Sequence, residues 1–134
     1  MNLKAEKILE IYVTCGETKS VGNMMVIPIE SGYFEGMLKG HVVSGGADWN
    51  TRIDSHTSHV FAKYLIQAED GTYIAIENEG KISDSEQENR IKTSPRFKVD
   101  VDSPYSWLNS GVYVGELNPG RKEGQVHITI YKLA

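Results

Sequence analysis

The residues best suited to chemistry in this 134-residue chain follow a pair of glycines. Asp48, Trp49 and Asn50 come directly after Gly45-Gly46, at the end of a strand-like run. Glycine permits positive φ and close backbone approach, so we expect a sharp turn that presents these side chains at the rim of a strand. An acid beside an indole supplies a hydrogen-bond acceptor and a flat apolar surface, as small-molecule pockets commonly do. The alternative is that Asp48 caps the turn through its own backbone.

Other polar and aromatic side chains fall at strand ends or in predicted loops, where binding residues are commonly found. The predicted ligand-binding group around one mouth is Asp48, Trp49, Lys63, Asn78, Arg96, Trp107 and Asn109. Asp48 and Glu79 are the candidate catalytic residues, because a carboxyl group beside a Trp side chain can have a raised pKa and serve as general acid or base. Two residues of the ligand-binding group also have a structural alternative. Trp107 would form part of a packed lid, and Arg96 would form an ion pair.

The strongest hairpin signal is Glu69-Asp70-Gly71, which lies between strand-like residues 60–68 and 72–78. A two-residue Asp-Gly turn would place Lys63 opposite Asn78. Both side chains would then point either into a cavity mouth or to solvent. A three-residue loop with a bulge would shift the pairing by one residue and remove this argument.

Apolar residues alternate with a period of two almost throughout, which predicts strands rather than helices. The predicted strands cover residues 9–15, 24–29, 33–44, 60–68, 72–78, 96–101, 111–117 and 126–133. Pro28 cannot donate to a ladder, so its strand should lie at an edge or carry a bulge. A polar loop is predicted over residues 81–89, and residues 83–89 are the one segment of the chain that could form a helical turn. The pattern predicts an all-β fold, a single antiparallel β-barrel of about 8–10 strands over residues 1–134.

Composition excludes several classes of function. A net charge of −4 argues against a nucleic-acid surface. No apolar run approaches the length of a bilayer span, and no signal peptide is recognisable, so we expect a cytoplasmic protein. Apolar residues on both faces of several strands indicate that the outer face meets another subunit or a covering segment, and of these we favour a homodimer. The spacing of the histidines (His41, His56, His59, His127) does not predict a metal site, and no cofactor is expected. Cys15 is the one cysteine and falls in a strand pattern, so we expect it to be a small buried hydrophobe.

Several motifs together resemble uncharacterised protein family 0311, the group that bears domain of unknown function 3237. They are Gly45-Gly46-Ala47-Asp48-Trp49-Asn50, Ala62-Lys63-Tyr64, Ile76-Glu77-Asn78-Glu79-Gly80, Thr93-Ser94-Pro95-Arg96-Phe97 and Tyr105-Ser106-Trp107-Leu108-Asn109. The resemblance implies a bacterial, calycin-like barrel of the kind that holds small ligands. It differs at Val60-Phe61-Ala62-Lys63-Tyr64, where the family more commonly has Leu-Asp-Ala-Arg-Tyr, and the exchange predicts an altered interior charge.

Three hypotheses follow. The first is a small-molecule-binding barrel that uses the residues named above. The second is an enzyme in which Asp48 or Glu79, paired with Lys63 or Arg96, promotes isomerisation, cyclisation or elimination on a small cyclic, anionic or polyketide-like metabolite. The third is a structural dimer whose motifs serve turns and lids. Asp48→Asn separates the first two, because turnover should collapse in an enzyme whereas a binder should only lose affinity.

Overall fold

A computed structural model describes residues 1–84 and 91–134. Within these residues the chain forms ten strands and one short 3-10 helix, Ser106–Asn109. The strands are β1 (Ala5–Cys15), β2 (Lys19–Val21), β3 (Met24–Gly36), β4 (Gly40–Val42), β5 (Gly46–Arg52), β6 (Thr57–Ala68), β7 (Tyr73–Ser83), β8 (Ile91–Val99), β9 (Val112–Pro119) and β10 (Gln125–Leu133). No helix in the described part of the chain is long and apolar enough to cross a membrane.

The strands close into a barrel. β1 pairs with β10 on one side and with β3 on the other, and the antiparallel path runs from β10 through β9, β8, β7 and β6. β4 and β5 share one position, since both pair with β3 and with β6, which gives eight strand positions. Closure removes the exposed sheet edges that an open sheet would leave. The predicted all-β antiparallel barrel is therefore confirmed.

The β6–β7 hairpin has a three-residue loop, Glu69-Asp70-Gly71. The Ala68 N–H donates to the Thr72 carbonyl at 2.9 Å, and the Gly71 N–H donates to the Ala68 carbonyl at 2.9 Å. Gly71 has a φ of +95°, which glycine adopts without the steric cost that a Cβ atom would add. The sequence thus located the turn but not its type.

This loop shifts the strand register by one residue from the two-residue prediction. Lys63 lies opposite Glu77, and Asn78 lies opposite Ala62. Because side chains alternate between the two faces of a strand, one residue of slip exchanges the inner and outer sets. The prediction that Lys63 and Asn78 face each other is wrong: Asn78 points into the barrel and Lys63 points outward.

Two other segments differ from their sequence-based assignment. Residues 45–50 were expected to form a turn, but all from Gly46 onward belong to β5, so Asp48 lies within a strand. β3 is continuous and carries a bulge, but the extra residue is Glu30, two residues beyond Pro28, since Thr14 pairs with Ser31 and Cys15 pairs with Ile29. β7 extends to Ser83, and the candidate turn over residues 83–89 lies largely outside the described residues.

The 3-10 helix packs against one end of the barrel. Leu108 is buried there. β8 pairs with β9 only over residues 91–93, so the far end of β8 lacks a strand neighbour on that side. Asn109 replaces that neighbour: its Oδ1 accepts from the Val99 N–H at 2.9 Å, and its Nδ2 donates to the Val99 carbonyl at 2.8 Å. The Trp-Leu-Asn motif therefore closes this end of the fold.

Candidate functional site

A cavity lies in the half of the barrel away from the 3-10 helix. Asp48 pairs with Ala62, and Ala62 pairs with Asn78, so these three side chains face inward at one level of neighbouring strands. Strands lie about 4.8 Å apart, which puts the Asp48 and Asn78 backbones about 10 Å apart on either side of a methyl group. The lining residues are Val13, Cys15, Ile29, Asp48, Val60, Ala62, Tyr64, Asn78, Thr93, Leu117, Val126 and Ile128.

The cavity is narrow. Its volume is about 50 Å³, counted as the space that the centre of a water molecule can occupy. On a similar measure one buried water needs roughly 10–15 Å³. The space therefore suits a few waters or the slim part of a small molecule.

Four polar atoms in this cavity have no hydrogen-bond partner among the described residues. They are Asp48 Oδ1, Tyr64 Oη, Asn78 Oδ1 and Thr93 Oγ1. Tyr64 and Asn78 are each 3% exposed and Thr93 is 4% exposed. Leaving such a group unsatisfied costs about 1–3 kcal/mol, and native proteins rarely do so. Four together in a largely apolar cavity indicate partners from outside the protein, either a ligand or water.

Asp48 is the acidic group of the cavity. Burial raises its pKa, while a hydrogen bond from the Phe61 backbone N–H and the charge of His59 act in the opposite direction. The pKa of the Tyr64 hydroxyl and that of the Cys15 thiol are both raised, in each case by burial first and by the Asp48 charge second. Asp48 therefore has a stabilised neutral form and can both accept and release a proton.

The two glycines at the start of β5 bring Asp48 to Tyr64. Gly45 has a φ of +114° and ends the turn before the strand. A Cβ atom at Gly46 would lie 2.5 Å from the Lys63 carbonyl oxygen and 2.5 Å from the Tyr64 Cβ. Only glycine lets β5 lie this close to β6 at that point. Asp48 follows two residues later and so faces inward on the same side.

Four of the predicted site residues, Trp49, Lys63, Glu79 and Arg96, lie on the outer face of the barrel. Lys63 pairs with Glu77 at 3.5 Å between Nζ and Oε1, and Glu79 contacts His59 at 2.7 Å between Oε2 and Nε2. Arg96 lies opposite Glu77 in the β7–β8 register, so it also faces outward. The acid–base pairs of Asp48 with Lys63 or Arg96 are therefore not assembled.

The outer face also carries exposed apolar groups. Trp49 is 45% exposed and Leu65 is 41% exposed. Both line a shallow depression with Ala47, Lys63 and Ala75. The homodimer expected from strands that are apolar on both faces stays a prediction, as does the cytoplasmic location.

Trp107 and Asn109 lie at the closed end, around the 3-10 helix. The Tyr113 hydroxyl contacts the Trp107 carbonyl at 3.2 Å, and Lys132 Nζ lies 5.8 Å from the centre of the Trp107 ring. Neither residue lines the cavity. The structure therefore brings together Asp48 and Asn78 from the seven predicted residues and separates the other five from them.

Three polar cavity residues escaped the sequence analysis. Tyr64 alternates with Ala62 in β6, so its inward direction was readable once the register was known. Thr93 was missed because the strand was predicted to begin at residue 96, whereas β8 begins at Ile91. Cys15 was expected to be a small buried hydrophobe; it is half-buried and lines the cavity.

The fold and cavity define a closed antiparallel β-barrel with one plugged end and a small cavity that carries unpaired oxygen atoms. The chain belongs to the family described as protein of unknown function (DUF3237), whose model matches residues 1–133. It is 28% identical over 135 residues to a UPF0311 protein of Bradyrhizobium diazoefficiens, an alignment that covers 90% of this chain and 86% of that protein.

Solved structures share the fold. A beta-barrel like protein from Acinetobacter baumannii superimposes with a TM-score of 0.85 at 25% identity, covering 100% of this chain and 98% of that one. A protein with unknown function from Clostridium acetobutylicum gives 0.84 at 24% identity, covering 99% and 100%. An enzyme from Penicillium herquei gives 0.75 at 19% identity, covering 98% and 96%. The solved structures confirm the barrel fold, and the match of the family model to residues 1–133 confirms the family resemblance.

Of the three departures from the commoner family pattern, Val60 lines the cavity but stays apolar, and the two that involve charged residues, Phe61 and Lys63, lie outside it. Phe61 pairs with Trp49 and Glu79, and Lys63 pairs with Ala47 and Glu77. All of these alternate with the inward-facing Asp48, Ala62 and Asn78. The expectation of an altered interior charge is therefore wrong, because both exchanged positions change the outer surface.

Proposed function

We propose that this protein binds a small organic molecule inside the barrel, between Asp48 and Asn78. The observation that carries the proposal is the set of four buried oxygen atoms around one cavity that have no hydrogen-bond partner in residues 1–84 and 91–134. A ligand with hydrogen-bond donors would satisfy them and recover the free energy that their burial costs.

The rest of the lining supports an apolar body for this ligand. Val13, Ile29, Leu117, Val126 and Ile128 line the cavity with hydrocarbon. Small-molecule sites commonly combine such walls with a few polar groups that fix orientation. The described lining residues include no Lys, Arg or His, so the site offers no cation to an anionic substrate.

Ala62 provides the test. Ala62→Leu would extend a branched side chain between Asp48 and Asn78 and fill the cavity. Ala75→Leu is the matched control, because Ala75 lies opposite Leu65 on the outer face of the same hairpin. Each protein is purified under native conditions, and the small molecules released on denaturation are identified by mass spectrometry.

A molecule that is recovered in equimolar amount from the wild type and Ala75→Leu, but not from Ala62→Leu, supports the proposal. If Ala62→Leu retains the same molecule in the same amount, the ligand lies elsewhere and the proposal fails.

One observation favours a second candidate, acid–base catalysis in the same cavity. Asp48 has a raised pKa because it is buried, and its charge raises the pKa of the Tyr64 hydroxyl, which lines the same cavity. Such a carboxyl group can relay a proton to a bound substrate. The Penicillium herquei protein is called an enzyme, and its likeness to this chain extends to the fold.

Asp48→Asn separates the two candidates. If the protein is an enzyme, the variant should retain a different metabolite from the wild type, because substrate accumulates where turnover has stopped. If it only binds, the variant should carry the same metabolite in a smaller amount. The comparison uses the mass-spectrometric assay described above.

A further inference from the structure

We infer that the polar group received by this cavity is a protonated primary amine, so that the ligand class is small alkylamines. This inference rests on the proposed function, since it assigns chemistry to the same cavity. Its basis is the chemical identity of the four unpartnered atoms: all are oxygens, from one carboxyl group, one amide and two hydroxyls.

The first argument concerns hydrogen-bond direction. The Oδ1 atoms of Asp48 and Asn78 are acceptors, and the hydroxyls of Tyr64 and Thr93 can accept as well. An ammonium group has three donors and no acceptor, so it matches a cluster of oxygen atoms. A carboxylate or phosphate group would place its own oxygens against the Asp48 and Asn78 acceptors, and only the Tyr64 and Thr93 hydroxyls could donate to it.

The second argument concerns charge. Asp48 is the one carboxyl among the described lining residues, and none of those residues is a Lys, Arg or His. A buried carboxylate without an opposite charge is costly, and here burial raises the Asp48 pKa accordingly. A cationic ligand would bring the missing charge and strengthen the hydrogen bonds at the same time.

The third argument favours an organic ammonium over a metal ion. Within residues 1–84 and 91–134, no three His, Cys, Asp or Glu side chains come together. Hard cations such as Ca²⁺ prefer about six to eight oxygen ligands, commonly with several carboxylates. The apolar walls offer no ligands to a bare ion, whereas they can pack against a short alkyl chain.

The test uses three probes of similar size: n-butylamine, 1-butanol and butanoate. Each is titrated into the full-length protein at neutral pH, and binding is followed by amide NMR signals of Ala62 and of the Asn78 side chain. We expect butylamine to bind at least tenfold more tightly than 1-butanol and butanoate to cause no saturable shift. Charge-assisted hydrogen bonds in a buried site are the reason for the difference.

Asp48→Asn should weaken butylamine binding at least tenfold and weaken 1-butanol binding by a smaller factor, because the neutral alcohol makes no charge-assisted hydrogen bond with Asp48. The matched control is Asp54→Asn, because Asp54 is an exposed carboxylate that accepts backbone hydrogen bonds outside the cavity. It should change neither affinity. Retained 1-butanol binding also shows that the Asp48 variant is folded.

The wild type provides a second readout that needs no variant of the site. Acidification protonates Asp48, so the affinity for butylamine should fall towards acid pH while that for 1-butanol stays constant. The titratable groups that act on Asp48 are Tyr64 and His59 from β6 and Cys15 from β1. Burial keeps Tyr64 and Cys15 neutral in this range, and His59→Gln controls for the histidine.

Binding of 1-butanol as tight as that of butylamine would overturn the amine assignment and leave the proposed function standing. Absence of any shift at Ala62 and Asn78 with all three probes would also overturn it. The proposed function is tested separately, by mass-spectrometric identification of the molecule that copurifies with the wild type and with the Ala62→Leu and Ala75→Leu variants.

Discussion

Replacing Asp48 with Asn should make the barrel more stable at pH 7. Asp48 Oδ1 has no hydrogen-bond partner within the described part of the chain, and the carboxyl group receives a backbone hydrogen bond from Phe61. An unsatisfied buried polar group costs about 1–3 kcal/mol, and more when charged, whereas one charge-assisted hydrogen bond returns about 1.5–3 kcal/mol. The amide keeps the shape and the Phe61 bond but not the charge. We expect a net gain of about 1 kcal/mol at neutral pH.

The gain should depend on pH with a defined sign. Burial raises the Asp48 pKa in the folded protein above the ordinary value of 3.8. Between 3.8 and the raised pKa the folded wild type binds more protons than the unfolded chain, so its stability falls as the pH rises through that window. Asn does not titrate. The advantage of Asp48→Asn should therefore be complete above the raised pKa and vanish below 3.8.

Asp54→Asn is the control with the opposite sign. Asp54 Oδ1 accepts the backbone N–H groups of His56 and Thr57, both at 2.8 Å, and these bonds lower its pKa. Its substitution should lower stability at pH 7, and the loss should shrink as the pH falls. Urea unfolding of the three proteins across the acid range, after any copurified small molecule has been removed, measures both effects. An Asp48→Asn variant that is less stable than wild type at pH 7, or a gain in stability that does not change with pH, would show that the buried Asp48 carboxylate does not destabilise the folded protein.

Three further substitutions are checked by the same unfolding assay. Asn109→Ala should cost about 3 kcal/mol, because the Val99 N–H and carbonyl both lose their partner; a loss below about 1 kcal/mol would contradict the role of this amide. Gly71→Ala should cost about 1–2 kcal/mol, because the loop needs a φ of +95°; an unchanged midpoint would contradict the three-residue loop. Lys63→Gln should change stability by less than about 0.5 kcal/mol and leave ligand recovery unchanged, since Lys63 lies outside the barrel; loss of the ligand would contradict that placement.

Most of the strands could be predicted from the alternation of apolar residues. It correctly predicted strands around Val13, Val60 and Ile128, because a two-residue period is a local property of the sequence. It could not close the barrel, since pairing between β1 and β3 depends on contacts between distant segments. Nor could it show that Asn109 substitutes for a missing strand neighbour of β8.

The candidate site was less accessible to sequence reasoning because one loop determines which side chains face inward. With a two-residue turn, Lys63 would have shared the inner face with Asn78; with the three-residue turn, Ala62 takes that position. Asp48 was found from its glycine neighbours, although for a position at a rim rather than within β5. Thr93 gave no signal, because a single threonine near a predicted strand end is common.

The most direct test of the account is an experimental electron-density map of the natively purified wild-type protein. If the cavity binds a ligand, we expect continuous density for an organic molecule in it, with atoms within about 3.2 Å of both Asp48 Oδ1 and Asn78 Oδ1. A cavity that contains only ordered water, in a protein from which no small molecule can be extracted, would contradict ligand binding at this site.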